Sequence, residues 1–268
     1  MTKLAALRYR GGKSPLKQIG PWVAAQIPYD RFYIEPFAGM LGILLQREPS
    51  PVEIVNDTDG FVVDWWTTVR DNPDELEYWM KHTPVSRQLF NEFKERLPNE
   101  PNRVKRSGMF AYLLTNSILG QGGQWSYQWG KSASGVWYHL PDRIRPLAER
   151  LARVRIEHTD ALEILDKTVG LKSAVIYCDP PYPGTAKPGL NKAVNSRVDH
   201  ASMCDLIREQ PAAIAVSGTN RSGYDLPGWR TSALRASDFI GAFNESGFKR
   251  TEMLWMNYNE TDTKNSLL

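Results

Sequence analysis

Tyr33 to Asp57 reads YIEPFAGMLGILLQREPSPVEIVND, and the two ends of this stretch decide the fold. YIE (33–35) is a short apolar strand that runs directly into Pro36, Phe37 and a glycine-containing turn. LGILLQRE (41–48) has the apolar density of a helix start, VEIVND (52–57) reads as a second strand ending in polar residues, and FVVDWWTTVRDN (61–72) as the helix after it. Strand, turn, helix, strand is the opening of a βαβ unit, which implies a parallel sheet with a right-handed crossover.

The same rhythm returns further along, in RVRIEH (153–158), SAVIYC (173–178) and AAIAV (212–216), and FKRTEMLWMNY (248–258) suggests antiparallel strands at one sheet edge. Between them it lapses. VSRQLFNEFKERL (85–97) places Leu89, Phe90, Phe93 and Leu97 at helical spacing, GMFAYLLTNSIL (108–119) is an apolar helix candidate, and GQGGQWSYQWGKSASGVWYHLPDRIR (120–145) reads as an irregular polar-aromatic loop. The expected organisation is one α/β domain, residues 1–71 with 146–268, interrupted by a mainly helical insertion over 72–145.

Bulk properties narrow the class. The chain has 268 residues, 41% apolar and 24% charged, an ordinary balance for a soluble globular protein. No run approaches the roughly 18 consecutive apolar residues of a membrane span, and the opening MTKLAALRYRGGKSPL lacks the apolar core of a signal peptide. Two cysteines and four histidines, none at metal-ligand spacing, suggest neither a disulfide framework nor a metal centre; a reducing cytoplasm is the expected setting. The net charge of +3 is compatible with a polyanionic partner.

Chemistry concentrates at predicted strand ends. In EPFAGMLG (35–42), glycines 39 and 42 permit close backbone approach, and Asp57 ends the next strand, where an acid can accept hydrogen bonds from ribose hydroxyls; an ordinary capped turn is the alternative. There is no G-x-G-x-x-G and no Walker A loop, which disfavours a dinucleotide or nucleoside triphosphate. After RVRIEH, Asp160 and the N–H of Ala161 could read an adenine edge, although Asp160 with Glu163 also forms a capping-box pattern. RYRGGKSPL (8–16) carries Lys13 on a glycine loop, either a cation for a carboxylate or phosphate or a plain terminal loop.

The most specific signal is AVIYCDPPYPG (174–184). Pro180 and Pro181 fix φ and offer carbonyl acceptors without competing donors, and Asp179 adds a carboxylate. Rigidly grouped acceptors match the two N–H donors of an exocyclic amino group, and Tyr182 offers a face for its ring to stack on. Holding the hydrogens leaves the nitrogen lone pair more available to an electrophile, a form of preorganised stabilisation.

In chain order these pieces resemble the Dam-like, α-group N6-adenine DNA methyltransferases, over about Arg8 to Asn257: a Gly-Gly-Lys loop, the EPFAGMLG turn, an insertion, then Asp-Pro-Pro-Tyr. DHASMCDLI (199–207) and AVSGTN (215–220) look like the helix and strand that follow. The resemblance implies a Rossmann-like S-adenosylmethionine-dependent methyltransferase sheet, S-adenosylmethionine as donor and a flipped adenine in double-stranded DNA as acceptor. Under it, Tyr9, Gly11, Gly12 and Lys13 would flank the cofactor's methionine part, Pro36, Phe37 and Gly39 would lie beneath it, Asp57 would meet the ribose, and Asp160 and Ala161 the cofactor adenine, with Asp179 between cofactor and base. Asp179, Pro180, Pro181 and Tyr182 would form the catalytic set. The chain departs from Phe-x-Gly-x-Gly by placing Leu41 at the second glycine, which puts the loop's shape in question.

For DNA, Lys94, Arg96, Arg103, Lys105 and Arg106 supply phosphate-binding charge in the insertion. Asn116, Gln121, Gln124, Gln128 and Lys131, interleaved with Trp125, Tyr127, Trp129 and Trp137, could read base edges or wedge between steps; packing of the tryptophans onto the FAYLL helix is the alternative for each. The expected activity is methylation of adenine N6 in a specific short sequence, by a monomer in the cytoplasm, nucleoid-associated or in the host of a phage, with a cognate restriction endonuclease as a further candidate partner. N4-cytosine methylation and a catalytically weak sequence-specific DNA-binding protein are the competing readings.

Overall fold

The described residues of the computed structural model are 4, 7, 9, 12–13, 19–127, 133–183, 190, 198–234 and 251–259. They contain β1 (Phe32–Glu35), β2 (Val52–Asn56), β3 (Val154–Glu157), β4 (Ala174–Cys178), β5 (Ala213–Thr219), β6 (Arg230–Leu234) and β7 (Glu252–Met256) in one seven-stranded sheet of order β3-β2-β1-β4-β5-β7-β6. The first five strands are mutually parallel, and β7 runs antiparallel to both β5 and β6. The order reverses between β1 and β4. In open α/β sheets the crevice at such a switch, beyond the carboxyl ends of the strands, is where ligands bind.

Alternation along the strands divides the core in two. Ile34, Ala174, Ile176, Cys178, Ile214 and Val216 face α8 (Ala161–Lys167) and α9 (His200–Arg208). Tyr33, Val55, Val175, Tyr177 and Ala215 face the opposite side, covered by α1 (Ile19–Ala24), α2 (Gly60–Asp71) and α7 (Ile144–Leu151). The acidic Glu53 of β2 is tolerated because Arg150 of α7 pairs with both its oxygens, at 2.5 and 2.7 Å. This bidentate pair clamps the returning helix to the sheet.

Within 72–145 lie α3 (Pro73–Lys81), α4 (Arg87–Arg96), α5 (Arg103–Thr115) and α6 (Ala133–His139). Met80, Phe90, Phe93, Phe110, Tyr112 and Trp137 belong to the same continuous cluster as Trp65 and Trp66 of α2, and a buried Thr68–Ser107 hydroxyl pair at 2.8 Å joins α2 to α5. The inserted helices are therefore extensions of the sheet's own core.

Three sequence expectations need correction. LGILLQRE forms only a 3-10 turn, Leu44–Gln46. Arg47 leaves helical geometry to donate to the Ile27 and Pro28 carbonyls, and Pro49 biases the residue before it against the helical region. The polar-aromatic loop contains α6, because the Trp137 ring lodges against Tyr112 and Trp79 and its indole N–H reaches the Thr83 carbonyl at 2.8 Å. The antiparallel edge exists, but among the described residues FKRTEMLWMNY supplies one strand, β7, whose edge partner is β6 from further upstream.

Candidate active site

The first turn is fixed by side chains from two other elements. Gly39 adopts φ +46°, its N–H donates to Asp57 Oδ2 at 2.8 Å, and its carbonyl accepts from the Trp66 indole at 2.8 Å. Asp57 Oδ1 accepts from the Asp59 N–H at 2.9 Å. Buried Asn56 donates to the carbonyls of Pro36 and Thr159, at 2.9 and 3.1 Å, and accepts from the Thr159 N–H. One amide thus stitches together the chain segments leaving β1, β2 and β3. Burial pushes Asp57 up to about 6, against the lowering effect of the two backbone donors.

Leu41 takes φ +51°, the left-handed region that glycine occupies freely. The turn keeps a glycine-like backbone at that position although the residue is leucine, and the side chain is fully buried in the core. Beneath it, Glu35 is also buried: it accepts from the Tyr33 hydroxyl at 2.6 Å and the Leu44 N–H at 2.8 Å, and burial pushes its carboxyl up to about 7. Pro36 is buried and Phe37 half-buried. The backbone of Gly12 bonds to Tyr9, and the Tyr9 ring lies over Gly39, so the N-terminal loop covers the turn; Gly11 lies outside the described residues.

Asp160 stands exposed at the end of β3 and caps α8, its carboxylate accepting from the Leu162 N–H at 2.8 Å, while Ala161 is buried. Glu163 takes the Thr159 hydroxyl at 2.8 Å.

At the end of β4 the acidic motif enters a charged cluster. Lys13 Nζ donates to Asp179 Oδ1 at 2.7 Å and to the Tyr182 hydroxyl at 2.9 Å, and lies 3.1 Å from Glu252 Oε1. The Tyr182 hydroxyl donates to Glu252. Lys13 is 4% exposed, whereas about a fifth of the Asp179 side chain (21%) remains open. Burial lowers the Lys13 ammonium, but the Asp179 and Glu252 carboxylates raise it and prevail, so it titrates well above an ordinary lysine and stays charged. Burial raises Asp179, with Lys13 opposing and Glu252 adding to the rise. Burial also raises the Tyr182 phenol well above its ordinary value, which keeps it a donor. Pro180 is buried and Pro181 is exposed; burial lowers the His200 imidazole below its ordinary range, with the Pro181 backbone opposing.

Lys13, Asp179 and Tyr182 were each singled out in the sequence, but not as one cluster. Glu252 and His200 were not singled out for the site. Their only sequence signals are an acid opening an apolar strand and a histidine at a helix start, and neither points to a site until the register is known.

In the insertion, buried Asn116 follows the last residue of α5, and its carbonyl accepts the Ser126 N–H at 2.9 Å. The segment between them folds back on itself: Ser117 bridges Trp125, Ile118 N–H meets the Gln124 carbonyl at 3.0 Å, and Ser117 Oγ takes the Gly122 N–H at 2.6 Å. Trp125 packs edge-on against Phe90, and Lys94 holds the Gly123 carbonyl at 2.7 Å. Gln121, Gln124 and Tyr127 are exposed, and Arg87 lies over the Tyr127 ring. Leu190, beyond the catalytic motif, packs against Gly122. The remaining basic residues sit elsewhere: Arg96 pairs with Glu92 and Glu100, Arg103 and Arg106 both pair with Asp64 of α2, and Lys105 lines a surface groove with Tyr78 and Trp79. Trp137 is core; Gln128, Trp129 and Lys131 lie outside the described residues.

Among the described residues no group of three His, Cys, Asp or Glu side chains could hold a metal ion, and no helix is long and apolar enough to cross a membrane.

A family model described as D12 class N6 adenine-specific DNA methyltransferase matches residues 9–208. Among solved structures, the rRNA methyltransferase aviRa from Streptomyces viridochromogenes is 13% identical, with 92% of this chain and 85% of that one covered and a TM-score of 0.40. The putative methyltransferase yhhF from Escherichia coli is 11% identical, with 88% and 80% covered and a TM-score of 0.35. The comparison with curated proteins finds no match.

Proposed function

Because the chain belongs to the D12 class of N6 adenine-specific DNA methyltransferases, we propose that it methylates adenine N6 at a specific short sequence of double-stranded DNA, with S-adenosylmethionine as donor and the base drawn out of the duplex. The observation that carries this reading is Asp179 with Pro180 at the carboxyl end of β4, beside the β1–β4 switch, with part of the carboxylate open. An adenine stacked inside a duplex cannot bring its amino group to such a recessed acceptor, so the base must leave the stack.

The residues around the first turn fit a nucleoside sulfonium. Each Asp57 oxygen uses one lone pair on a backbone N–H and retains capacity for a ribose hydroxyl. Asp160 is exposed at the neighbouring strand end for an adenine edge, and the Tyr9 ring, with Gly12 bonded to its backbone, lies over the Gly39 turn that Pro36 and Phe37 open. When bound, S-adenosylmethionine supplies a methyl group on a positively charged sulfur. Asp179 Oδ and the Pro180 carbonyl hold the two amino hydrogens of the base, which directs the N6 lone pair outward, and Tyr182 supports the ring. As N6 gained its bond to the methyl carbon and the carbon–sulfur electron pair went to sulfur, the positive charge on N6 would be stabilised by the Asp179 carboxylate until one amino proton passed to solvent.

Residues 72–145 serve as the target-recognition part. The folded-back segment 116–126 joins the end of α5 to Leu190, which follows the Asp-Pro-Pro-Tyr motif in the chain, and presents Gln121 and Gln124 to solvent, with exposed Tyr127 next to it. Lys94, Asn116 and Trp125 hold that segment in shape.

The test is expression of the chain and of Asp179→Ala in a host lacking DNA methylation, with modified adenines mapped across the genome. The native chain should mark adenines within one short motif, and the variant should mark none while keeping its melting temperature within a few degrees. Methylation by Asp179→Ala at the native level rejects the mechanism.

A further inference from the structure

Glu252 lies beyond the family-matching residues 9–208, yet it enters the catalytic cluster. The register explains how. β7 runs antiparallel to β5, and Glu252 pairs with Thr219, so the first residue of β7 sits where β5 ends. That is the same sheet edge at which β4 delivers Asp179. Glu252 is buried, receives the Tyr182 hydroxyl, and lies 3.1 Å from the Lys13 ammonium.

The ammonium poses a problem for the proposed reaction. Lys13 Nζ donates to Asp179 Oδ1 at 2.7 Å, on the carboxylate that the adenine amino group must use. A buried ammonium does not abandon one carboxylate unless another takes its charge, since an isolated buried ion is strongly disfavoured. Resting on the function proposed above, we infer that Glu252 is a positioning residue that accepts the Lys13 ammonium when the base arrives, releasing Asp179 Oδ1 for the amino group while keeping the Tyr182 hydroxyl in place. The handover requires only a small displacement, because Lys13 already lies within reach of both carboxylates.

Glu252→Gln isolates the charge, since the glutamine oxygen still accepts from Tyr182. Single-turnover methylation of unmethylated genomic DNA, with isotope-labelled S-adenosylmethionine, should fall about 10- to 100-fold, the range of a charge-assisted hydrogen bond expressed as rate. Calorimetric affinity for S-adenosylmethionine should not change. In Lys13→Met/Glu252→Gln the competing ammonium is gone, so the rate should recover relative to Glu252→Gln alone, a non-additive pair. A native rate in Glu252→Gln, or strictly additive effects with Lys13→Met, overturns the inference. Asp179→Ala measured alongside separates the two levels. If it is inactive while Glu252→Gln is native, only the role of Glu252 fails; if Asp179→Ala itself methylates, the underlying reading fails.

Discussion

The Lys13 backbone lies so close to the α-carbon of Gly42 that a β-carbon there would stand 2.6 Å from the Lys13 carbonyl oxygen and 2.8 Å from its carbonyl carbon. The atoms in the way are backbone, so they cannot rotate aside. The glycine that follows Leu41 is thus what allows the N-terminal loop to place its ammonium on Asp179.

Gly42→Ala should push the Lys13 backbone outward and, with it, lift the Tyr9–Gly12 loop from the Gly39 turn. Displacements of about 1 Å at a reacting centre cost on the order of 100-fold in rate. We expect a loss of that order in kcat/KM on unmethylated DNA with little change in melting temperature. A variant with native kinetics would show that the approach is not needed.

Leu41 reverses a familiar ordering of substitutions. Alanine normally destabilises less than glycine, but at φ +51° a side chain bears a backbone cost of roughly 1–2 kcal/mol that glycine avoids. Both truncations lose a fully buried leucine, worth about 2–5 kcal/mol. Leu41→Gly should therefore be more stable than Leu41→Ala by about 1 kcal/mol in urea unfolding, and the opposite order would refute the strain.

Glu35 predicts a pH dependence. Its carboxyl titrates near 7 in the folded chain, because of burial, and near 4.5 as a free side chain. Below 4.5 it is protonated in both states and contributes nothing to the slope. Between 4.5 and 7 the unfolded chain ionises first, so stability falls as pH rises, levelling above 7 at a deficit of about 3 kcal/mol. Glu35→Gln removes this component: the stability difference, variant minus native, should rise by about that amount from pH 4.5 to pH 8. Unfolding midpoints that track in parallel across the range would contradict it.

Asp57→Asn tests the first turn. An asparagine oxygen can retain only one of the two N–H donors, from Gly39 and Asp59, that the carboxylate now serves. Affinity for S-adenosylmethionine by calorimetry should weaken about tenfold, the size of one charge-assisted hydrogen bond. In the native chain it should also weaken as pH drops below about 6, where Asp57 takes up a proton. Unchanged affinity in both experiments would remove Asp57 from cofactor binding.

Ser117→Ala should leave cofactor binding alone and loosen the segment 116–126 by removing the acceptor of the Gly122 N–H. The expected readout is a broader methylated motif on genomic mapping, with calorimetric cofactor affinity as the control. An unchanged motif would assign the segment to packing.

What could be read from the sequence was whatever is local. YIEPF and AVIYCDPPY each carry strand, turn and chemistry within a dozen residues, so the sheet, its first turn and Asp179 with Tyr182 were all visible. LGILLQRE misled because its apolar density is spent on burial in a 3-10 turn, while Arg47 and Pro49 end the helix early. Lys13 was recognisable as a cation, but its carboxylates stand far away in the chain. Asn56 and Glu252 stand at strand ends and His200 at a helix start that topology brings together, and nothing beside them in the sequence marks that meeting. The tryptophans divided by depth: Trp137 became core, and Trp125 a brace for the exposed segment.

β7 follows β6 in the chain but lies between β5 and β6 in the sheet. Until it inserts, those two strands have no common neighbour, and the sheet's antiparallel end stays open during synthesis. The strand that closes this gap also brings Glu252 to Tyr182 and Lys13. A chain emerging from the ribosome would therefore complete its charged cluster only as its last described strand docks.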